Sequence, residues 1–172
     1  MYKKNAFTLV EILVICTILV LFSGTMLAGY NNFNQQKKLD KEVNQLVDVL
    51  NLAKSKARAS DLNPADTGFD CSGSNEFGGY SVEINDSDYN FAPCCRDVVT
   101  KNPSGCGSVV QTYNFSSVIT NISGSTTVNF YPLSEGASPL TVSIKNSAID
   151  KCSDISISET GVISTSDIQL CY

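Results

Sequence analysis

The 172-residue chain contains no histidine. That removes the commonest general base and metal ligand, and with it any Ser or Cys triad of the usual kind. There is no G-x-S-x-G turn and no P-loop. There is no C-x-x-C either, so both the redox dithiol motif and zinc-type spacing are missing. Positive charge is scarce: 12 Lys and Arg stand against 17 Asp and Glu, a net charge of −5. Nucleic-acid backbones are held by clustered Lys and Arg, so an acidic chain is a poor general nucleic-acid binder. Charge of either sign is almost absent from Phe7 to Tyr30, where Glu11 is the single charged side chain, and no proline precedes Pro64.

What remains in that first stretch is a 24-residue apolar or small-residue run preceded by Lys3 and Lys4. About 20 apolar residues suffice for a helix to cross a bilayer, with the basic end held on the cytoplasmic side. Glu11 is the informative residue. An acid at membrane depth costs about 2.5–3.5 kcal/mol on insertion scales and normally has a partner. Cleavage before Phe7 would supply one, because the new α-amino group of a neighbouring copy could face Glu11. An ordinary secretory signal has an apolar core of about 7–15 residues before a small-x-small cut. Cuts after Gly24 or Ala28 would instead place Phe22 or Met26 three residues back. An uncleaved anchor would leave Glu11 unexplained.

The stretch Lys3-Lys4-Asn5-Ala6-Phe7-Thr8-Leu9-Val10-Glu11, followed by the apolar run, resembles the processing signal of type IV prepilins and type II secretion pseudopilins. The resemblance implies a prepilin peptidase that cuts between Ala6 and Phe7 and methylates the new terminus at Phe7. It also implies a subunit-registration role for Glu11. One departure is Ala6, where the family usually has glycine. Losing the six-residue leader removes Lys3 and Lys4 and takes the net charge from −5 to −7.

Of seven cysteines, Cys16 lies in the apolar run, where it acts as a small hydrophobe. Cys71, Cys94, Cys95, Cys106, Cys152 and Cys171 form an even set that fits three disulfides in an oxidising compartment. Six cysteines allow 15 pairings. Their clustering suggests that the first four staple one loop region and that Cys152 pairs with Cys171. The adjacent Cys94 and Cys95 are expected to take different partners.

Beyond Tyr30, Leu39, Val43, Leu46, Leu50, Ala53 and Ala57 recur at spacings of four and three, one apolar stripe on a helix. Lys37, Lys41, Asp48, Asn51, Ser55 and Arg58 occupy the other sides. Lys54, Lys56 and Arg58 suit a helix C-terminus, and Asp61-Leu62-Asn63-Pro64 is the expected stop. The helix is therefore expected over Phe7 to Ser60, with Gly24 and Gly29 as weak points. Strands are expected at 80–84, 89–91, 109–115, 127–131, 140–144, 155–157 and 162–163, with Glu159-Thr160-Gly161 turning the last hairpin. The remainder of 65–107 reads as loop.

The fold expected is α+β: a long N-terminal helix, transmembrane in its first half and amphipathic in its second, on an antiparallel β-sheet or sandwich. Its segments are a leader (1–6), a polymerisation helix (7–30), its amphipathic continuation (31–62) and a disulfide-stapled β domain (63–172). Val128-Asn-Phe130-Tyr-Pro132, Gly136, Leu140-Thr-Val142 and Ile155 through Ile163 resemble the C-terminal half of the GspH/FimT-like branch. Leu46 through Ala57 resembles that branch's helix end. The Cys-rich stretch from about 68 to 107 is not part of that pattern.

Catalytic candidates are thin. The pairs Asp86/Asp88 and Asp66/Asp70 lie in Ser- and Asn-rich segments, where Asp normally forms turns. Asp86-Ser-Asp88-Tyr-Asn90 lacks the glycine and glutamate of an EF-hand loop. No catalytic residue, metal or cofactor is expected. The function expected is that of a structural subunit, a minor pilin or pseudopilin, in a pilus or secretion pseudopilus. Its partners would be the peptidase, other subunits, an inner-membrane assembly platform and, before assembly, lipid. A DNA-capturing minor pilin would need Lys54, Lys56, Arg58, Arg96 and Lys101 to converge. The major filament subunit shares the same signal. The expected location is the inner membrane, crossed once, with the C-terminal domain outside the cytoplasm, and then the filament.

Overall fold

A computed structural model of the chain describes residues 8–60, 70–101 and 103–171. The expected leader and cut site (Lys3, Lys4, Ala6, Phe7), the stop at 61–64 and Asp66 lie outside the described residues. The chain divides into two compact units, Met1–Gln35 and Gln36–Tyr172. Helix α1 runs over Leu9–Arg58 and contributes to both. It continues through Gly24 and Gly29, at each of which an added Cβ would meet open space.

In the first unit, α1 is long and apolar enough to cross a membrane, with a mean hydropathy of 2.4 over its most apolar window. In the second unit, the stripe reads out as expected. Leu39, Val43, Leu46, Leu50, Ala53 and Ala57 are all buried, together with Val49. Lys37, Lys41, Asp48, Asn51, Ser55 and Arg58 are all exposed.

The stripe packs against two five-stranded antiparallel sheets. The first contains β1 (Asn75–Ile84), β2 (Asp88–Asp97), β3 (Pro103–Cys106), β4 (Gln111–Asn114) and β6 (Thr126–Phe130). Its order is β3-β2-β1-β6, and β4 pairs with the other end of β2. The second contains β5 (Ile119–Asn121), β7 (Leu140–Asn146), β8 (Lys151–Ile157), β9 (Ile163–Thr165) and β10 (Gln169–Leu170). There β7 lies between β5 and β8, and both β9 and β10 pair with β8. Alternating residues build the core: Tyr80, Val82 and Ile84 from β1, Val128 and Phe130 from β6, Val142 and Ile144 from β7, Ile155 and Ile157 from β8. Each such aliphatic side chain contributes about 1.5–3 kcal/mol by leaving water. Asn121 donates from Nδ2 to the Ile84 carbonyl (3.4 Å) and the Gly124 carbonyl (2.7 Å), tying β5 to the end of β1.

The largest departure from expectation is in residues 70–107. Instead of two short strands set in loop, β1 and β2 extend to ten residues each and carry Cys94, Cys95 and Arg96 inside β2. The ladder shifts register between Phe77 and Gly79. Gly79 allows it, with φ +108 and no room for a Cβ, which would lie 1.9 Å from the Phe130 carbonyl oxygen. The strand expected at 109–115 is shorter, Gln111–Asn114, and 107–110 bends between β3 and β4 while its Gly107 and Val110 N–H groups bond to β2. The final hairpin forms as expected: β8 pairs with β9, and the Gly161 N–H donates to the Ser158 carbonyl at 2.8 Å.

Candidate functional site

Helix α1 opens at Thr8. The Glu11 N–H is shared between the Thr8 side-chain oxygen (3.3 Å) and the Thr8 carbonyl (3.1 Å). Glu11 therefore sits in the first turn, where unpaired N–H groups and the helix dipole favour a carboxylate. Thr8-x-x-Glu11 is the spacing of a capping box, which gives the acid a local reason to be there. Among the described residues, no ion pair involves Glu11.

Around Glu11, every residue from 8 to 24 is exposed, the large apolar side chains from 47 % at Val14 to 79 % at Leu9. The surface is apolar on all sides rather than along one stripe, as in helices whose surroundings are themselves apolar. Beyond the capping Thr8, its two hydroxyls, Thr17 and Ser23, bond back to the helix. Thr17 donates to the Val14 carbonyl (2.8 Å) and Ser23 to the Leu19 carbonyl (2.7 Å). Both are thus satisfied without water, which a hydrocarbon setting requires. Cys16 is the free cysteine on this surface.

The second polar constellation was not legible beforehand. Arg96, 8 % exposed, donates from Nε to Glu76 at 2.8 Å and from both terminal nitrogens to Glu135, 39 residues away. Lys101 Nζ reaches the same Glu76 oxygen at 2.6 Å. The Lys101 and Arg96 hydrogen bonds hold the Glu76 carboxyl below its usual range, and Arg96 does the same to Glu135. Glu135 in turn raises the Arg96 guanidinium. Asp97 is lowered by the Thr100 N–H, the Thr100 hydroxyl and the Val99 N–H. The structure therefore brings Arg96 and Lys101 together, as a nucleic-acid patch would require, but around two carboxylates. Lys56 lies over the Tyr80 ring, 6.0 Å from its centroid.

A third constellation is buried beneath α1. Glu42, 7 % exposed, accepts a hydrogen bond from the Ser116 hydroxyl. Burial, and then the Glu42 charge, push the Tyr89 phenol well up. The sequence carried one signal for this site, an acid at position 42 adjoining the apolar stripe.

The six cysteines form three bridges: Cys71–Cys95, Cys94–Cys106 and Cys152–Cys171. Cys94 and Cys95 take different partners, and Cys152 takes Cys171, as the clustering suggested. Cys94–Cys106 joins two strands, the residues facing each other directly across the β2–β3 ladder, and Cys71–Cys95 ties the segment ahead of β1 to β2. Asp86 and Asp88 stand at the β1–β2 turn, closed by the Asn85 N–H on the Asp88 carbonyl at 2.8 Å. Among the described residues, no group of three His, Cys, Asp or Glu side chains could hold a metal ion.

Compared with family models, curated proteins and solved structures, the chain finds no match.

Proposed function

We propose that the chain is a prepilin-type structural subunit, a minor pilin or pseudopilin, that assembles through the first half of α1. The observation that carries this reading is the predominantly apolar helix surface over residues 8–24, exposed on every side, with Glu11 in its opening turn. A span of that kind needs other apolar surfaces, first lipid and then copies of similar helices. Cleavage between Ala6 and Phe7 by a prepilin peptidase, with N-methylation of Phe7, gives each subunit a positive terminus. Glu11 of one subunit then pairs with the terminus of the next, which offsets its desolvation. Lys3 and Lys4 keep the leader cytoplasmic, and three disulfides suit a C-terminal domain beyond the membrane. Among the charges a DNA-capturing role would use, Arg96 and Lys101 are already held by Glu76 and Glu135. That role therefore has no observation in its favour.

The test is quantitative mass spectrometry of filaments sheared from native cells, including the amino-terminal peptide. The expected result is a methylated terminus at Phe7, with this chain a trace component. The same terminus in dominant amounts identifies a major subunit. An intact Met1 terminus, or absence from both filament and membrane, overturns the reading. Glu11→Gln is expected to leave cleavage intact and to deplete the chain from filaments.

A further inference from the structure

We infer that the Cys94–Cys106 bridge is a thiol–disulfide exchange site for an external dithiol, and that opening it releases β3 while the other two bridges stay closed. Three observations carry this, none of which depends on the filament reading.

The first is access. Cys94 is 5 % exposed, whereas Cys106 ends β3, whose four residues are all exposed. Cys106 lines two clefts, one on either flank. A cleft of about 300 Å³ is shared with Ser81, Ala92, Gly107 and Val109, and one of about 180 Å³ with Asn75, Ser104 and both cysteines of the Cys71–Cys95 bridge. The second cleft alone therefore does not single out the Cys94–Cys106 bridge, and Cys106 is set apart by its exposure. Exchange begins with attack of a thiolate on one sulfur, and the side open to solvent is the one attacked. Here that side is Cys106, which makes Cys94 the leaving group.

The second is the fate of that leaving group. The Ser81 hydroxyl lies 3.1 Å from Cys94 Sγ and 3.5 Å from Cys106 Sγ. Disulfide sulfurs carry no hydrogen, so the hydroxyl is the donor. It is placed to stabilise the thiolate that forms on Cys94, and a better-stabilised thiolate leaves faster. Among the described residues, no side-chain hydrogen bond reaches a sulfur of the other two bridges. The buried partners there, Cys95 and Cys152, would leave without such help.

The third is what the bridge holds. β3 pairs with β2 only at Cys94, Cys95 and Arg96 and buries none of its own residues. Its attachment therefore rests on a short ladder and the bridge. The segment that follows is anchored separately, by the Gly107 N–H on the Pro93 carbonyl (2.8 Å) and the Val110 N–H on the Phe91 carbonyl (3.0 Å), so what the bridge releases is β3 itself.

The chemistry balances without another reactant. One thiolate of the dithiol forms a bond to Cys106 Sγ as the Cys94–Cys106 bond breaks, and the electron pair goes to Cys94. The second thiol, as thiolate, displaces Cys106 from the mixed disulfide. The dithiol is oxidised by two electrons, and Cys94 and Cys106 end as thiols after taking up two protons.

The test uses the full chain in detergent micelles, exposed under native conditions to graded dithiothreitol, quenched with acid and alkylated. Fragment mass spectra report each cysteine. The expected result is labelling of Cys94 and Cys106 at a dithiothreitol concentration about tenfold below that needed for Cys152 and Cys171, with Cys71–Cys95 intact. Simultaneous opening of all three, or earlier opening of Cys71–Cys95, overturns the site. Hydrogen exchange on the selectively opened protein is expected to rise over 104–106 and to stay unchanged over Lys151–Ile157; no rise overturns the release. Ser81→Ala is expected to slow opening of Cys94–Cys106 several-fold and leave Cys152–Cys171 unchanged. An unaltered rate removes the assigned role of Ser81.

Discussion

The two parts of α1 share one continuous backbone conformation and almost nothing else. From residue 8 to 24 the side chains are exposed on every face; from Leu39 to Ala57 one stripe is wholly buried and the opposite face is charged. Helix geometry is indifferent to this difference, because all its backbone hydrogen bonds are internal. What differs is the solvent each surface needs. The second part finds it within its own chain, in the side chains of two sheets. In the first part, no face is covered over residues 8–24.

The sharpest way to break the comparison is to remove a buried side chain from the second part. Leu50→Ala is expected to cost about 2–5 kcal/mol, read by chemical denaturation followed in the near-ultraviolet circular dichroism. A loss below about 1 kcal/mol would mean that the stripe is not the keel of the β domain. Next in size is the bridge that closes the second sheet. Replacing Cys152 and Cys171 by Ala together frees a loop with a sequence separation of 19 and is expected to cost about 3 kcal/mol, measured in the same way.

Acid supplies a smaller, local effect. Glu76, Asp97 and Glu135 all have carboxyls lowered in the fold from ordinary values of 4.5, 3.8 and 4.5. A lowered group stabilises the fold above its unfolded value and loses that contribution as pH falls through the folded one. Amide protection around β1, β2 and the 97–101 turn, taken relative to the intrinsic exchange rate at each pH, is therefore expected to fall below about pH 4, before the second sheet responds. Because these carboxylates remain partly open to solvent, the effect is modest. The smallest expected effect is in the first part of the helix. Leu13→Ala should leave β-domain stability unchanged within about 0.5 kcal/mol, and a larger loss would show that the two parts are energetically coupled.

The stripe was legible because its period repeats over five turns, and the long alternating strands were legible for the same reason. The misses have physical causes. Residues 92–97 of β2 read as loop because Pro93, Cys94, Cys95 and Arg96 are not strand formers in isolation; their neighbours on β1 and β3 supply the ladder. β3, β5 and β10 have four, three and two residues, too short to show a period. Arg96 and Glu135 meet through tertiary structure alone, and no local pattern announces an ion pair across 39 residues. Glu11 stood out at once, since a lone charge in an apolar run contrasts with all its neighbours.

The buried contact between Glu42 and Ser116 has a consequence for alignment. The stripe nearly repeats itself every seven residues: Leu39 maps onto Leu46 and Ala53, and Val43 onto Leu50 and Ala57. A helix with that self-similarity could slide two turns along its bed and still present oil to oil. Glu42 maps onto Val49, so such a slip would set a valine against the Ser116 hydroxyl and strand both polar groups in a dry interior. One carboxylate thus works as an index notch. It adds little to how tightly the helix is held and decides where along its length it stops.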